Sequence, residues 1–218
     1  MIIRINKLHF PVIVLGPGRR IGIWLQGCSI RCPGCCSRDT WDAAGGGDMS
    51  VDAIIRWCKV ITNGELDGVT ISGGEPFEQP AALGALLAAL SAWKRNATLS
   101  FDVLVYTGKS RRYVERHFTE LIALIDVIIP EPFRARLPTN GILFGSMNQS
   151  PWFVNEAVEE KFRAWMDREA TSPRRRIQMT VDDSGIWMVG IPRAEELKRL
   201  EKDCLKGGLV LEKPSWRA

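Results

Sequence analysis

Ile21-Gly22-Ile23-Trp24-Leu25-Gln26-Gly27-Cys28-Ser29-Ile30-Arg31-Cys32-Pro33-Gly34-Cys35-Cys36 joins a strand to a site. The run from Ile21 to Leu25 is short and apolar and follows the breakers Gly16-Pro17-Gly18. That is the pattern of a parallel strand buried on both faces. It runs straight into a loop with Cys28, Cys32 and Cys35 spaced C-x-x-x-C-x-x-C, and Cys36 follows directly. The spacing lets three thiolates converge on one small metal centre. A closed structural zinc site takes four protein ligands, and an ordinary four-iron cluster takes four cysteines. Three in one loop therefore suggest a centre with one position left for something else. Cys36 is an alternative third ligand, because Cys32 and Cys36 are spaced x-x-x; its plain reading is a small buried residue.

Outward from this loop, strands and helices alternate. Residues 1–15 read as an opening strand or hairpin. Beyond the glycine tract Gly45-Gly46-Gly47, Asp48 or Ser50 caps a helix over about residues 50–62, and Asn63-Gly64 ends it. Val69–Ile71 is a strand that stops at Ser72-Gly73-Gly74-Glu75-Pro76. Pro80 opens a helix to about Arg95. Phe101–Tyr106 is a third strand closed by Thr107-Gly108, residues 111–124 a helix, and Val127–Ile129 a fourth strand. This order predicts an α/β fold whose parallel sheet is joined by right-handed crossovers, as a partial (β/α) barrel open on one side. In such sheets the loops after the C-terminal strand ends carry the site. The cysteine loop and Gly73-Gly74-Glu75-Pro76 both follow strands, so they share one rim.

The remainder is less regular. Gly141–Gly145 reads as a fifth strand, followed by polar Ser146, Asn148 and Gln149, whose plain reading is turn chemistry and whose sharper one is a substrate-side role. Residues 154–169 read as a helix. Two β-rich runs flank Asp182-Asp183-Ser184-Gly185 as a hairpin, and a helix spans about residues 193–206. The expected division is a core over residues 1–150 and a C-terminal hairpin–helix extension over 151–218 packing on it.

Of 218 residues, 45% are apolar, enough for a sizeable core. The net charge of +4, from 29 basic and 25 acidic residues, is too mild to indicate nucleic acid. No apolar run approaches the roughly 20 residues of a membrane span. Arg4, Asn6 and Lys7 interrupt the apolar N-terminus, so it lacks the long core of a signal peptide. Four of the six cysteines crowd into nine positions, the reverse of a spread disulfide framework. Metal binding in a reducing cytoplasm is expected. Neither His9 nor His117 lies near the loop in sequence, which disfavours zinc completed by histidine. Cys58 and Cys204 fall on helices and read as packing residues, and Arg174-Arg175-Arg176 as a solvated run.

These residues resemble the radical SAM enzymes. The C-x-x-x-C-x-x-C loop is that family's shared signature, and Gly73-Gly74-Glu75-Pro76 after the next parallel strand is its second. More narrowly, the chain resembles the activating enzymes of glycyl radical enzymes. Gly16-Pro17-Gly18 with Arg19 or Arg20 is similar to their Asp-Gly-Pro-Gly-x-Arg segment, with Leu15 in place of the Asp. Arg38-Asp39-Thr40-Trp41-Asp42 resembles pyruvate formate-lyase activase. Cys32-Pro33-Gly34-Cys35 and Val105-Tyr106-Thr107-Gly108 resemble the activase of anaerobic ribonucleotide reductase. Two departures stand out: Gly34 replaces an aromatic residue common before the third cysteine, and Ile128 stands where the pyruvate formate-lyase activases carry a Lys.

The resemblance implies a [4Fe–4S] cluster on Cys28, Cys32 and Cys35, with S-adenosylmethionine on its fourth iron. It favours Cys35 over Cys36 as the third ligand. Gly73 and Gly74 would let backbone approach S-adenosylmethionine. Glu75 would face its ammonium or fix the loop, and the backbone at Gly34 and Cys36 would meet the adenine. Thr107 is a further expected cofactor contact, and Arg19 or Arg20 would neutralise a carboxylate or a partner's backbone. The implied partners are a glycyl radical enzyme on another polypeptide and an electron donor such as flavodoxin or ferredoxin. Two other readings are a radical SAM enzyme acting on a small molecule or peptide, and an iron–sulfur or zinc module that only binds.

Overall fold

The computed structural model describes all residues except 172–176, 183, 184, 213 and 218. Arg174-Arg175-Arg176 and the Asp183-Ser184 part of the hairpin turn thus lie outside the described residues. The chain opens with β1 (Ile2–Val12) and β2 (Arg20–Leu25), then β3 (Gly47–Ser50) and α1 (Val51–Thr62). Next come β4 (Gly68–Gly73), α2 (Pro80–Asn96), β5 (Asp102–Tyr106), α3 (Arg111–His117), α4 (Thr119–Ile122) and β6 (Val127–Ile129). The last third supplies β7 (Trp152–Phe153), α5 (Glu159–Ala170), β8 (Gln178–Asp182), β9 (Gly185–Val189) and α6 (Ala194–Lys206).

One sheet has the order β3-β1-β2-β4-β5-β6-β7, and β8-β9 form a separate hairpin. Strands β2, β4, β5 and β6 are mutually parallel, as the alternation predicts; β1 pairs antiparallel with β2, β7 antiparallel with β6, and β3 antiparallel with β1. The sheet is open, with β3 and β7 at its edges. Ser50, the second of the two candidate caps, accepts the Ala53 N–H with its side chain, and Asn63 ends α1 in the left-handed region at φ 46°.

Three expectations need correction. Residues 141–145 do not form a strand: the Gly145 and Ser146 N–H groups both donate to the Gln149 side chain, so they are not offered to a ladder. The edge position goes to Trp152–Phe153, antiparallel to β6. The helix over residues 111–124 is two helices, because Phe118 leaves the helical path to set its ring 4.8 Å from Phe77. The glycine tract leads into a strand, since Gly47–Ser50 pairs with Ile2–Ile5.

Successive residues of each strand face opposite layers. Ile21, Ile23, Leu25, Ile71, Val103, Val105 and Ile128 join α1 and α2 in the main core, through Ile54, Leu83, Leu86 and Leu90. The intervening residues face the other way. Leu104, Val127 and Ile129 lie under Phe162 and Trp165 of α5, and Trp24 lies with Val12, Val14, Leu15 and Val189 of β9. The open side of the half-barrel is thus covered by α5 and the hairpin. Trp187 sits edge-on to both Trp24 (4.9 Å) and His9 (4.7 Å), and Gln178 bonds the Pro11 carbonyl at 2.7 Å.

At the N-terminal ends of the parallel strands, Arg20 is fully buried. Its guanidinium donates to Thr70 Oγ1 (2.7 Å), the Val69 carbonyl (3.0 Å) and Asp102 Oδ1 (2.5 Å), and Lys161 reaches Asp102 Oδ2 at 2.8 Å. No helix among the described residues is long and apolar enough to cross a membrane.

Candidate metal centre

Strand β2 delivers Gln26 and Gly27 into the cysteine loop at the opposite, C-terminal rim. The Arg38–Trp41 segment holds that loop in place. The Gly27 and Cys28 N–H groups donate to the Thr40 and Trp41 carbonyls at 2.8 and 3.1 Å, and Gln26 Nε2 donates to the Asp39 and Asp42 carbonyls. Loop residues Ser29, Arg31, Pro33 and Gly34 are exposed, so the loop lies at the molecular surface.

The three cysteines expected as ligands share this one loop, and Cys32 is near enough to Cys28 and Cys35 for their charges to act on its thiol. The Ser37 N–H donates to Cys35 Sγ at 3.4 Å. The backbone at Ile30 and Arg31 beside Cys28, the backbone at Phe133 beside Cys32 and the Trp41 side chain beside Cys35 each favour the thiolate. Donors aimed at sulfur stabilise thiolate charge, as an iron–sulfur cluster requires. Partial burial pushes all three thiols up from their ordinary range. Among the described residues no three Cys, His, Asp or Glu side chains close on a single ion. Cys36 differs: burial pushes its thiol up to about 11, and the Ser37 hydroxyl is 3.8 Å away. Its carbonyl accepts the Ser215 hydroxyl at 2.6 Å, so the C-terminal tail reaches the cysteine loop.

The loop after β4 meets this one through backbone. Gly74 and Glu75 N–H groups donate to the Leu25 and Gly27 carbonyls at 2.7 and 2.8 Å. A Cβ on Gly74 would stand 2.1 Å from the Gly27 oxygen, and one on Gly73 (φ 100°) 2.5 Å from the Leu25 backbone. Both positions therefore need glycine for contact with the cysteine loop itself. Glu75 is 1% exposed. Its Oε1 accepts from Thr107 Oγ1 (2.7 Å) and the Phe77 N–H (3.0 Å), and its Oε2 from the Gly108 N–H (2.7 Å). These bonds tie the loop after β4 to the loop after β5. The Thr107 proton is committed to Glu75, and its oxygen also accepts the Lys109 N–H. Burial raises the Glu75 carboxyl while these donors oppose the rise. Glu78 adds a further tie, accepting from the Ser29 N–H and hydroxyl and lying 3.6 Å from Lys109.

Two predicted residues sit elsewhere. Arg20 neutralises a carboxylate as expected, but it is the chain's own Asp102, at the far end of the sheet. Arg19 pairs with Glu65 at 2.5 Å beside it. A missed residue is Trp41, whose side chain lies beside Cys35; the resemblance marked the segment without marking a role for it. The β6 loop was missed too, because only the folded sheet brings Phe133 to Cys32. Gly34, at φ 82°, closes against that loop, and a Cβ there would meet Ala135 at 3.2 Å and the Phe133 ring at 3.4 Å.

Residues 14–151 match the model of the 4Fe-4S single cluster domain. The chain is 27% identical over 145 residues to the anaerobic ribonucleoside-triphosphate reductase-activating protein of Enterobacteria phage T4, covering 66% of this chain and 90% of that protein. The protein of the same description from Vibrio cholerae is 30% identical over 146 residues, 65% of this chain and 92% of its own length. The pyruvate formate-lyase 1-activating enzyme of Escherichia coli is 40% identical over 81 residues, 35% of this chain and 32% of that enzyme. The matched family, the cysteine spacing and the groups around the thiols lead to one conclusion: the chain belongs to the 4Fe-4S single cluster domain family, as a radical SAM enzyme of the glycyl-radical-activase type.

Proposed function

We propose that this protein installs a glycyl radical on a separate enzyme, with anaerobic ribonucleotide reductase the favoured class of partner. Cys28, Cys32 and Cys35 are the iron ligands in this reading. Bound cluster and S-adenosylmethionine supply a 5′-deoxyadenosyl radical by one-electron reductive cleavage. The chain's own residues hold and shape the site. The groups at Ile30, Arg31, Ser37, Trp41 and Phe133 favour the thiolates. Gly73 and Gly74 bring their loop against the cysteine loop and present backbone to the S-adenosylmethionine ammonium. Glu75, locked by Thr107, Phe77 and Gly108, keeps the loops after β4 and β5 together. The backbone at Gly34 and Cys36 borders the adenine. Residues 1–150 form the catalytic core, and residues 151–218 an extension that covers the open side of the sheet. The electron donor is a flavodoxin or ferredoxin, and the compartment is the cytoplasm.

The observation that carries this reading is that the surface loop with Cys28, Cys32 and Cys35 is bonded through backbone to the Gly-Gly-Glu-Pro loop on the same rim. Its place at the surface suits a macromolecular substrate. The test is anaerobic reconstitution followed by dithionite and S-adenosylmethionine. Wild-type protein should release 5′-deoxyadenosine and methionine. Cys28→Ala, Cys32→Ala and Cys35→Ala should each lose the cluster absorbance, while Cys36→Ala keeps it. A Cys32→Ala protein with full iron would refute the ligand assignment.

A further inference from the structure

The turn formed by Pro214, Ser215, Trp216 and Arg217 has no part in the activity described above, yet it is tied down on two sides. The Arg217 N–H donates to the Pro214 carbonyl at 3.0 Å, which closes the turn. On one side the Trp216 indole N–H donates to Glu201 Oε1 of α6 at 2.6 Å, and the Arg217 guanidinium pairs with the same carboxylate. On the other, the Ser215 hydroxyl donates to the Cys36 carbonyl at 2.6 Å, across 179 positions of sequence. Helix α6 thus anchors the turn from which Ser215 reaches the cysteine loop.

Ser215 holds one end of a peptide. The Cys36 carbonyl and the Ser37 N–H belong to a single planar unit. Its oxygen accepts from Ser215, and its N–H donates to Cys35 Sγ at 3.4 Å. The next carbonyl, that of Ser37, accepts from the Thr40 hydroxyl at 2.7 Å and the Thr40 N–H at 3.2 Å, so the neighbouring peptide is pinned as well. A donor on the Cys36 carbonyl polarises its peptide and strengthens what the N–H gives. It also fixes the plane that aims this N–H at sulfur. Ser215 must be the donor, because a carbonyl oxygen only accepts.

We propose that Ser215 is a positioning residue that tunes the cluster, acting through the Cys36–Ser37 peptide on the Cys35 sulfur. This rests on Cys35 being an iron ligand. Reduction adds negative charge to the cluster, and a hydrogen bond to sulfur stabilises the reduced form. Weakening that bond makes reduction harder, and it leaves the ligand set unchanged.

The experiment is an EPR-monitored redox titration of reconstituted protein. Ser215→Ala removes the donor, and Ser215→Thr keeps it. Ser215→Ala should hold wild-type iron and show a midpoint displaced to more negative potential, while Ser215→Thr should keep the wild-type midpoint. A roughly threefold less favourable one-electron reduction corresponds to about 28 mV, at about 59 mV per tenfold. Val210→Ala, at an exposed position (67%) after α6, should leave the midpoint unchanged. An unchanged midpoint in Ser215→Ala overturns the proposal. So does a Ser215→Thr midpoint displaced as far as that of Ser215→Ala, since the hydroxyl would then not be the cause. A second measurement needs no cluster: amide exchange of the metal-free protein, read by NMR. The Ser37 N–H should exchange faster in Ser215→Ala than in wild type, because its plane is no longer held. Equal exchange overturns the proposal even if the variant loads no iron. Failure of the ligand reading is separate, because Cys35→Ala would then keep its iron.

Discussion

Cys28, Cys32 and Cys35 are adjacent enough in sequence for their common purpose to be read without a fold. What surrounds them is not. The indole of Trp41 reaches Cys35 through a single turn, but the Phe133 backbone arrives from a loop about a hundred residues away in the chain. Glu75 shows the same limit. Its motif marked it, yet its bonds go to Thr107 and Gly108, which only strand pairing brings near. All three thiols lie above their ordinary range, so the metal-free protein carries them protonated through neutrality. Cluster-bound thiolates have given those protons up, so the loaded form binds fewer protons than the empty one. Acidification then favours the empty form, and lowering the pH from about 8 to about 6 against a fixed chelator should strip the cluster with a dependence near three protons. The cluster absorbance checks this; a flat profile would contradict it.

At the scale of elements, period and capping made most of the sheet legible. The run from Ile21 to Leu25 is a parallel strand, and the next three parallel strands also fall where their apolar runs predict. The failures share a cause. Gly141–Gly145 looks like a strand locally, but Gln149 takes the N–H groups a ladder would need. Phe118 breaks a good helical pattern because its ring has a better place against Phe77. Arg20 is the other lesson, since a cation next to a Gly-Pro-Gly turn reads as a site residue until its carboxylate is found on β5. Asp102 is 2% exposed and holds both Arg20 and Lys161. Replacing it with Ala leaves the Arg20 charge buried and unmatched, which should cost about 3–5 kcal/mol. Urea denaturation of the metal-free protein measures this, and a loss below about 1 kcal/mol would show that Arg20 finds another partner.

At the scale of the whole molecule, the open side of the sheet is where the chain departs from a bare half-barrel. The matched family model ends at residue 151, and the covering elements α5, β8 and β9 come after it. Composition alone could not say which face they take, because both faces of these strands are apolar. Trp187 is the peg, set between Trp24, His9 and the Lys7 ammonium at 4.7 Å. Trp187→Ala should loosen the hairpin and cost about 2 kcal/mol, less than a fully buried Trp because the ring is partly exposed. Hydrogen exchange should rise in β8 and β9 and not in β4 or β5; uniform exchange would mean the hairpin is not a separate docking unit.

In the proposed reaction a radical made at this rim ends on a glycine of another protein. The decisive measurement is EPR after anaerobic incubation of reconstituted, reduced protein with S-adenosylmethionine and an anaerobic ribonucleotide reductase from the same organism. A glycyl radical signal should appear on the reductase, formed together with 5′-deoxyadenosine and lost with Cys32→Ala. Fully loaded protein that cleaves S-adenosylmethionine yet leaves the reductase without that signal would contradict it.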